Sequence, residues 1–140
     1  MLRAVFAALF VVALGVAGAA TAQNAVLSAR EARAELFGVR LSGVNEGISA
    51  SWTECIEPTG RTVYDYLGTR REGRLTITED GRACFAYADT NFSSPTCFVV
   101  AREGANYRFG SFVTERVERG IERCDGGDGL VAARAAHNGR

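Results

Sequence analysis

From residue 48 onward, short apolar runs alternate with turn residues. In Arg74–Thr78, Leu75 and Ile77 fall to one side and Arg74, Thr76 and Thr78 to the other, the period of a half-buried strand. Arg82–Ala88 repeats the pattern, with Ala83, Phe85 and Tyr87 on one face. Ser49–Cys55, Arg61–Leu67, Thr96–Arg102 and Tyr107–Val113 are further runs rich in β-branched and aromatic residues. Between them stand Pro58 and Gly60, the stretch Gly68–Gly73, Asp80-Gly81, and Glu103–Asn106. Asp-Gly is a strong hairpin signal because both residues tolerate positive φ. Turns about every 8–12 residues predict an all-β sandwich or barrel, and short connections predict an antiparallel meander.

The first part of the domain reads differently. Leu27, Ala34 and Phe37 share a helical face, Ser28 and Glu31 have capping-box spacing, and Gly38 suits a helix stop. A short helix over about Ala29–Phe37 is expected, with Val39–Gly43 extended beyond it. Thr114–Cys124 fits both helical and strand periods; Gly120 costs a helix about 1 kcal/mol, which favours a final strand. The expected fold is therefore mainly β: a small antiparallel meander β-barrel or sandwich with a short N-terminal helix.

The amino terminus bears on compartment. Arg3, the apolar run Ala4–Ala20 and the small pair Ala20 and Ala22 form a secretory-signal pattern over residues 1–22, with a retained membrane anchor as the competing reading. One β domain over 23–130 and a loose tail over 131–140 follow. Export gives the cysteine count meaning. Cys55, Cys84, Cys97 and Cys124 are four, an even number, with no C-x-x-C spacing and no close pairs of the kind zinc sites use. Counting inward from both ends of the Asp89–Pro95 loop sets Phe85 opposite Thr96 and Cys84 opposite Cys97, which leaves Cys55 for Cys124. The second bond would fasten the beginning of the sheet to its end. Because each Phe in Cys84-Phe85 and Cys97-Phe98 points away from its Cys, one face should carry sulfurs and the other rings.

Charge narrows the function classes. The chain has 16 basic residues, all Arg, against 16 acidic ones. Such balance argues against nucleic-acid binding, which rests on neutralising phosphates. His137, the single histidine, lies in the tail, which disfavours His-based triads and multi-histidine metal sites. Glu54, Glu57, Asp65 and Asp89 could supply a carboxylate pair, but their spacing singles out no two of them. The run Asp125–Gly129 has too few ligands for a calcium loop. No catalytic residue, metal ligand or cofactor is assigned.

Two groups remain as candidate ligand contacts. Trp52, Tyr64 and Tyr66 belong to an aromatic set that either fills the barrel or lines a cavity in it. Arg70, Arg71 and Arg74, with Arg61 and Arg82, could form a cationic rim, although Glu72 among them suits a solvated turn.

The stretch from Gly73 to Phe109 places Gly73-Arg74-Leu75 before Gly81-Arg82-Ala83-Cys84-Phe85, then a second Cys strand at Cys97, then Gly104 three residues before Tyr107. This order resembles a layout recurring in small exported bacterial proteins grouped under domains of unknown function. The resemblance covers the middle third of the chain and implies a periplasmic β domain, without active residues. The expectation is a non-enzymatic periplasmic or secreted binding or accessory protein. Its partner would be an envelope protein or small ligand, and membrane contact would be confined to the uncleaved signal. A carboxylate-based envelope hydrolase and a small apolar-ligand carrier are the alternatives.

Overall fold

The computed structural model describes residues 25–90 and 92–124. Residues 1–22, read above as a signal segment, the run Asp125–Gly129, the tail 131–140 and His137 lie outside the described residues.

Ten antiparallel strands form one sheet. In chain order they are β1 (Ala25–Val26), β2 (Val39–Asn45), β3 (Ala50–Ile56), β4 (Arg61–Tyr66), β5 (Thr69–Ile77), β6 (Ala83–Tyr87), β7 (Thr96–Phe98), β8 (Val100–Glu103), β9 (Asn106–Phe109) and β10 (Phe112–Arg119). Across the sheet the order is β1-β8-β9-β10-β2-β3-β4-β5-β6-β7. Strands β2 to β7 follow the expected meander, as do β8 to β10. The two runs are joined by β10 pairing with β2, so the last strand sits inside the sheet.

The sheet is a curled half-barrel, and its curl has a visible cause. Thr96–Arg102 is not one strand, as its apolar run suggests, but two, broken at Val99. Strand β7 is one edge of the sheet, while β8 lies next to the opposite edge. One residue of chain cannot span a flat sheet of that width, so the two margins must approach each other. Phe98 of β7 accordingly meets Phe109 of β9 and Phe112 of β10 edge-on, with centroids 6.2 and 6.1 Å apart.

Helix α1 (Ala29–Leu36) bridges the curl. Its capping box is complete: Glu31 N–H donates to Ser28 Oγ, and Ser28 N–H donates to Glu31 Oε2 at 2.8 Å. The buried face is Ala32 and Leu36, with Leu27 just ahead of the helix; Ala34, expected on that face, is exposed. Eight residues give a narrow stripe, and positions four apart set it. Arg33 donates to the Ile77 carbonyl of β5. On the other side Glu35 accepts from Arg102 of β8 and from the Tyr107 hydroxyl of β9, which in turn accepts from Arg119 of β10 at 2.6 Å. The helix thus ties strands that are distant in sheet order.

Both disulfides are the expected ones. Cys84 and Cys97 face each other across β6 and β7, in the register that puts Phe85 opposite Thr96. Cys55 of β3 joins Cys124, just past β10. This second bond does not fasten one sheet edge to the other, since β3 is a central strand and the edges are β1 and β7. It holds the exit segment against the outside of the sheet, in a small cluster with Val63 and Ile121. Glu57 supports it, accepting from Cys124 N–H at 2.9 Å and from Arg61 at 2.8 Å.

The stretch Gly68–Gly73 is not a loop. Leu67 and Gly68 alone make the turn, at φ values of 52° and 75°, and Tyr66 pairs directly with Thr69. Positive φ at both central residues is what a two-residue hairpin needs. The arginines beyond it therefore belong to β5, and alternation sends them to opposite faces.

Candidate functional site: an aromatic cavity with a buried carboxyl

Inward-facing residues divide the interior into two parts. Leu27 and the helix residues Ala32 and Leu36 belong to the buried core with Val39, Ile56, Leu75, Ala83 and Val100. The remainder is ring-lined and open. A cavity of about 330 Å³ is bounded by eight aromatic residues, Trp52, Tyr64, Tyr66, Phe85, Tyr87, Phe98, Phe109 and Phe112, with Leu41, Glu54, Arg71, Asp89, Ser94 and Thr96. That volume is in the range of small-molecule pockets. The rings hold one another: Trp52 meets Phe109 and Phe112 edge-on, and Tyr64 stacks against both Tyr66 and Tyr87. Such pairs contribute roughly 0.5–1.5 kcal/mol each beyond burial, which favours an ordered lining.

Register explains how the site is built. Glu54 lies opposite Leu41 on one side and Tyr64 on the other, with Trp52 opposite Tyr66. All these side chains share the inner face because they sit two apart along their strands. On β5 the inner positions opposite Tyr64 and Thr62 are Arg71 and Gly73. Gly73 also faces Tyr87 of β6. A Cβ at Gly73 would stand 2.5 Å from Tyr87 Cδ1 and 2.6 Å from the Ala86 carbonyl oxygen, so the ring occupies the space a side chain would take. That lets the Tyr87 hydroxyl cross to β3 and donate to Glu54 Oε2 at 2.7 Å. Gly73→Ala is expected to displace the Tyr87 ring and cost about 1–3 kcal/mol, as overpacking does. Urea denaturation, read with the near-ultraviolet signal of the tyrosines, checks this; an unchanged midpoint would contradict the role given to Gly73.

Glu54 is the chemical centre. Only 3% of its surface is exposed. Burial pushes its carboxyl up to about 8, while the hydroxyls of Tyr87 and Thr62 pull it partly back. Desolvation penalises the charge, and nothing cationic bonds to it to compensate. Its Oε1, Trp52 Nε1 and Thr62 Oγ1 are all shut off from solvent, and the Thr62 hydroxyl lies against the carboxyl. Neighbouring phenols respond to the same environment. Burial, then the Glu54 carboxyl, pushes the Tyr64 hydroxyl up to about 12, and Tyr87 is driven up further for the same reasons.

The candidate residues do not stay together. Trp52, Tyr64, Tyr66 and Arg71 all line the cavity. Arg71 pairs with Asp89 there at 3.2 Å. Arg70 instead reaches the Cys124 carbonyl on the outer side, and Arg74 is exposed outside the cavity lining. Arg61 pairs with Glu57 and Glu72, and Arg82 with Asp80, so the five arginines make no common rim. Of the four acidic candidates, Glu54 and Asp89 reach the cavity and Glu57 and Asp65 do not. The alternation in Ser51–Ile56 gave a signal for Glu54: it shares its face with Trp52 and Ile56, an unusual place for a carboxyl. Phe98, Phe109 and Phe112 complete the ring set from which the sequence singled out Trp52, Tyr64 and Tyr66.

No protein-family model matches the chain, and no curated protein or solved structure shows significant similarity to it.

Proposed function

We propose that this is an exported, non-enzymatic binding protein of the cell envelope, periplasmic or secreted, that carries a small and mainly apolar ligand inside its half-barrel. One observation supports the reading above others: a cavity of about 330 Å³ walled by eight rings, with the buried Glu54 carboxyl in its lining. The two disulfides suit an oxidising compartment, and no helix among the described residues is long and apolar enough to cross a membrane.

Binding of the uncharged fluorescent probe phenylnaphthylamine tests it. Saturable, blue-shifted emission at one site is expected from the mature oxidised protein. Thr96→Trp, which places a large ring at an exposed position of the cavity wall, should abolish it without unfolding the chain. No saturable binding, or binding indifferent to that substitution, would remove the basis of the proposal.

A hydrolase is the second reading, and a specific feature favours it: Glu54 and Asp89 line the same cavity, the first placed to stay protonated. Against it, Asp89 is engaged by Arg71. Turnover of model glycosides that is lost in both Glu54→Gln and Asp89→Asn would establish it.

A further inference from the structure

We propose that the occupant of this cavity is a small organic cation, a quaternary or substituted ammonium. The inference rests on the ligand-carrier reading and names the ligand's chemistry.

Three features of the wall point the same way. Six rings from six strands, Trp52, Tyr66, Phe85, Phe98, Phe109 and Phe112, line one space. Ring faces are electron-rich, and boxes of them hold ammonium groups by cation–π attraction, strengthened when water is excluded. The second feature is the charge inventory. The charged or chargeable wall residues besides the tyrosines are Glu54, Arg71 and Asp89, and Arg71 and Asp89 neutralise each other. An ionised Glu54 therefore leaves a single uncompensated negative charge, which a monovalent cation matches. The third feature is the setting of the Glu54 carboxyl, buried in the lining between Leu41 and Tyr64 with the Tyr87 hydroxyl as its donor, so a cation close by would meet its charge through space and not through a hydrogen bond. A metal ion fits less well: no group of three potential metal-ligating residues occurs among the described residues.

The groups facing Glu54 from its packed neighbours are few. They are uncharged Leu41 on β2, Thr62 and Tyr64 on β4, and the Tyr87 hydroxyl from β6. Arg71 on β5 and Asp89 after β6 face the same cavity as a pair. With no fixed cation bonded to it, the carboxyl stays protonated at neutral pH. A bound cation would draw the proton off, so cation affinity should rise with pH until Glu54 is ionised in the free protein as well.

Choline and its uncharged carbon isostere, dimethylbutanol, have the same shape and the same hydroxyl, and differ by the charge. Each is titrated against phenylnaphthylamine bound to the oxidised protein. Choline should displace the probe at least about tenfold more tightly than the isostere at about pH 9, and should weaken by about a hundredfold towards pH 6. In Glu54→Gln the affinity for choline should lose its pH dependence and fall well below that of the unmodified protein at about pH 9, keeping only the preference that the rings supply. Equal or better binding of the isostere at about pH 9, a flat pH profile in the unmodified protein, or a pH dependence that survives in Glu54→Gln would each overturn the cation assignment. If the probe binds and choline does not displace it, the carrier reading stands and the cation fails. If neither binds, both fail.

Discussion

Replacing Cys55 and Cys124 together by serine is expected to cost about 4 kcal/mol of unfolding free energy, the largest effect of any change outside the packed core. The bond closes a loop with a sequence separation of 69, against 13 for Cys84–Cys97. In the chain-entropy account the longer loop restrains the unfolded chain more, by roughly 4 against 3 kcal/mol. The native contacts point the same way. Without Cys55–Cys124 the exit segment keeps only a few anchors: Ile121 N–H on the Gly38 carbonyl, Cys124 N–H on Glu57, and Arg70 on the Cys124 carbonyl. Cys84 and Cys97, by contrast, sit in a strand pair that remains hydrogen-bonded without the sulfurs. A melting temperature about 15–25 °C lower is expected for the double serine variant, with a smaller fall for Cys84→Ser/Cys97→Ser. Denaturant titration of both variants checks the order, and a loss below about 1 kcal/mol in the first would refute the account.

The second large effect is a stability that declines as pH rises through neutrality. Glu54 has an ordinary value of 4.5 and a folded value pushed up to about 8 by burial. Between these values the folded protein retains a proton that the unfolded chain has released. Stability from this group is therefore complete below about pH 4.5, falls by up to about 1.4 kcal/mol per pH unit, and is gone above about pH 8. Glu54→Gln keeps a neutral side chain that can still accept from Tyr87, and it has no proton to lose. Its stability should match the unmodified protein near pH 5 and exceed it by about 3–5 kcal/mol near pH 9. Glu31, Glu46 and Asp80 act in the opposite sense, since their hydrogen bonds to Ser28, Arg108 and Thr78 hold them below the usual range. Their contribution is common to both proteins and cancels in the difference. Parallel stability curves for the two proteins across this range would show that Glu54 is not held neutral by burial.

Local patterns were readable wherever a single strand or turn decides the outcome. Ser28 and Glu31 announced the helix start, and Asp80-Gly81 announced the β5–β6 hairpin. The register across the Asp89–Pro95 loop determined the Cys84–Cys97 pair. Errors arose where a local pattern has two tertiary outcomes. Thr96–Arg102 is a continuous apolar run, yet Val99 turns the chain from one margin of the sheet to near the other. Gly68–Gly73 has loop composition, yet a two-residue turn leaves Arg70 and Arg71 inside β5. That shift decides which arginine meets Asp89 in the cavity and which meets Cys124.

By itself the sequence determined the class of fold, the short capped helix, the sulfur pairing and the division of rings from sulfurs on β6 and β7. Each follows from period, spacing or turn chemistry over fewer than about twenty residues. Only the tertiary structure decided that β10 lies beside β2, that the sheet curls, and that rings from six strands leave a space beside Glu54. Alternation says which side chains share a face, but whether facing side chains meet or leave a gap depends on how sharply the sheet curves. That curvature comes from contacts between residues far apart in the chain, such as Phe98 with Phe112.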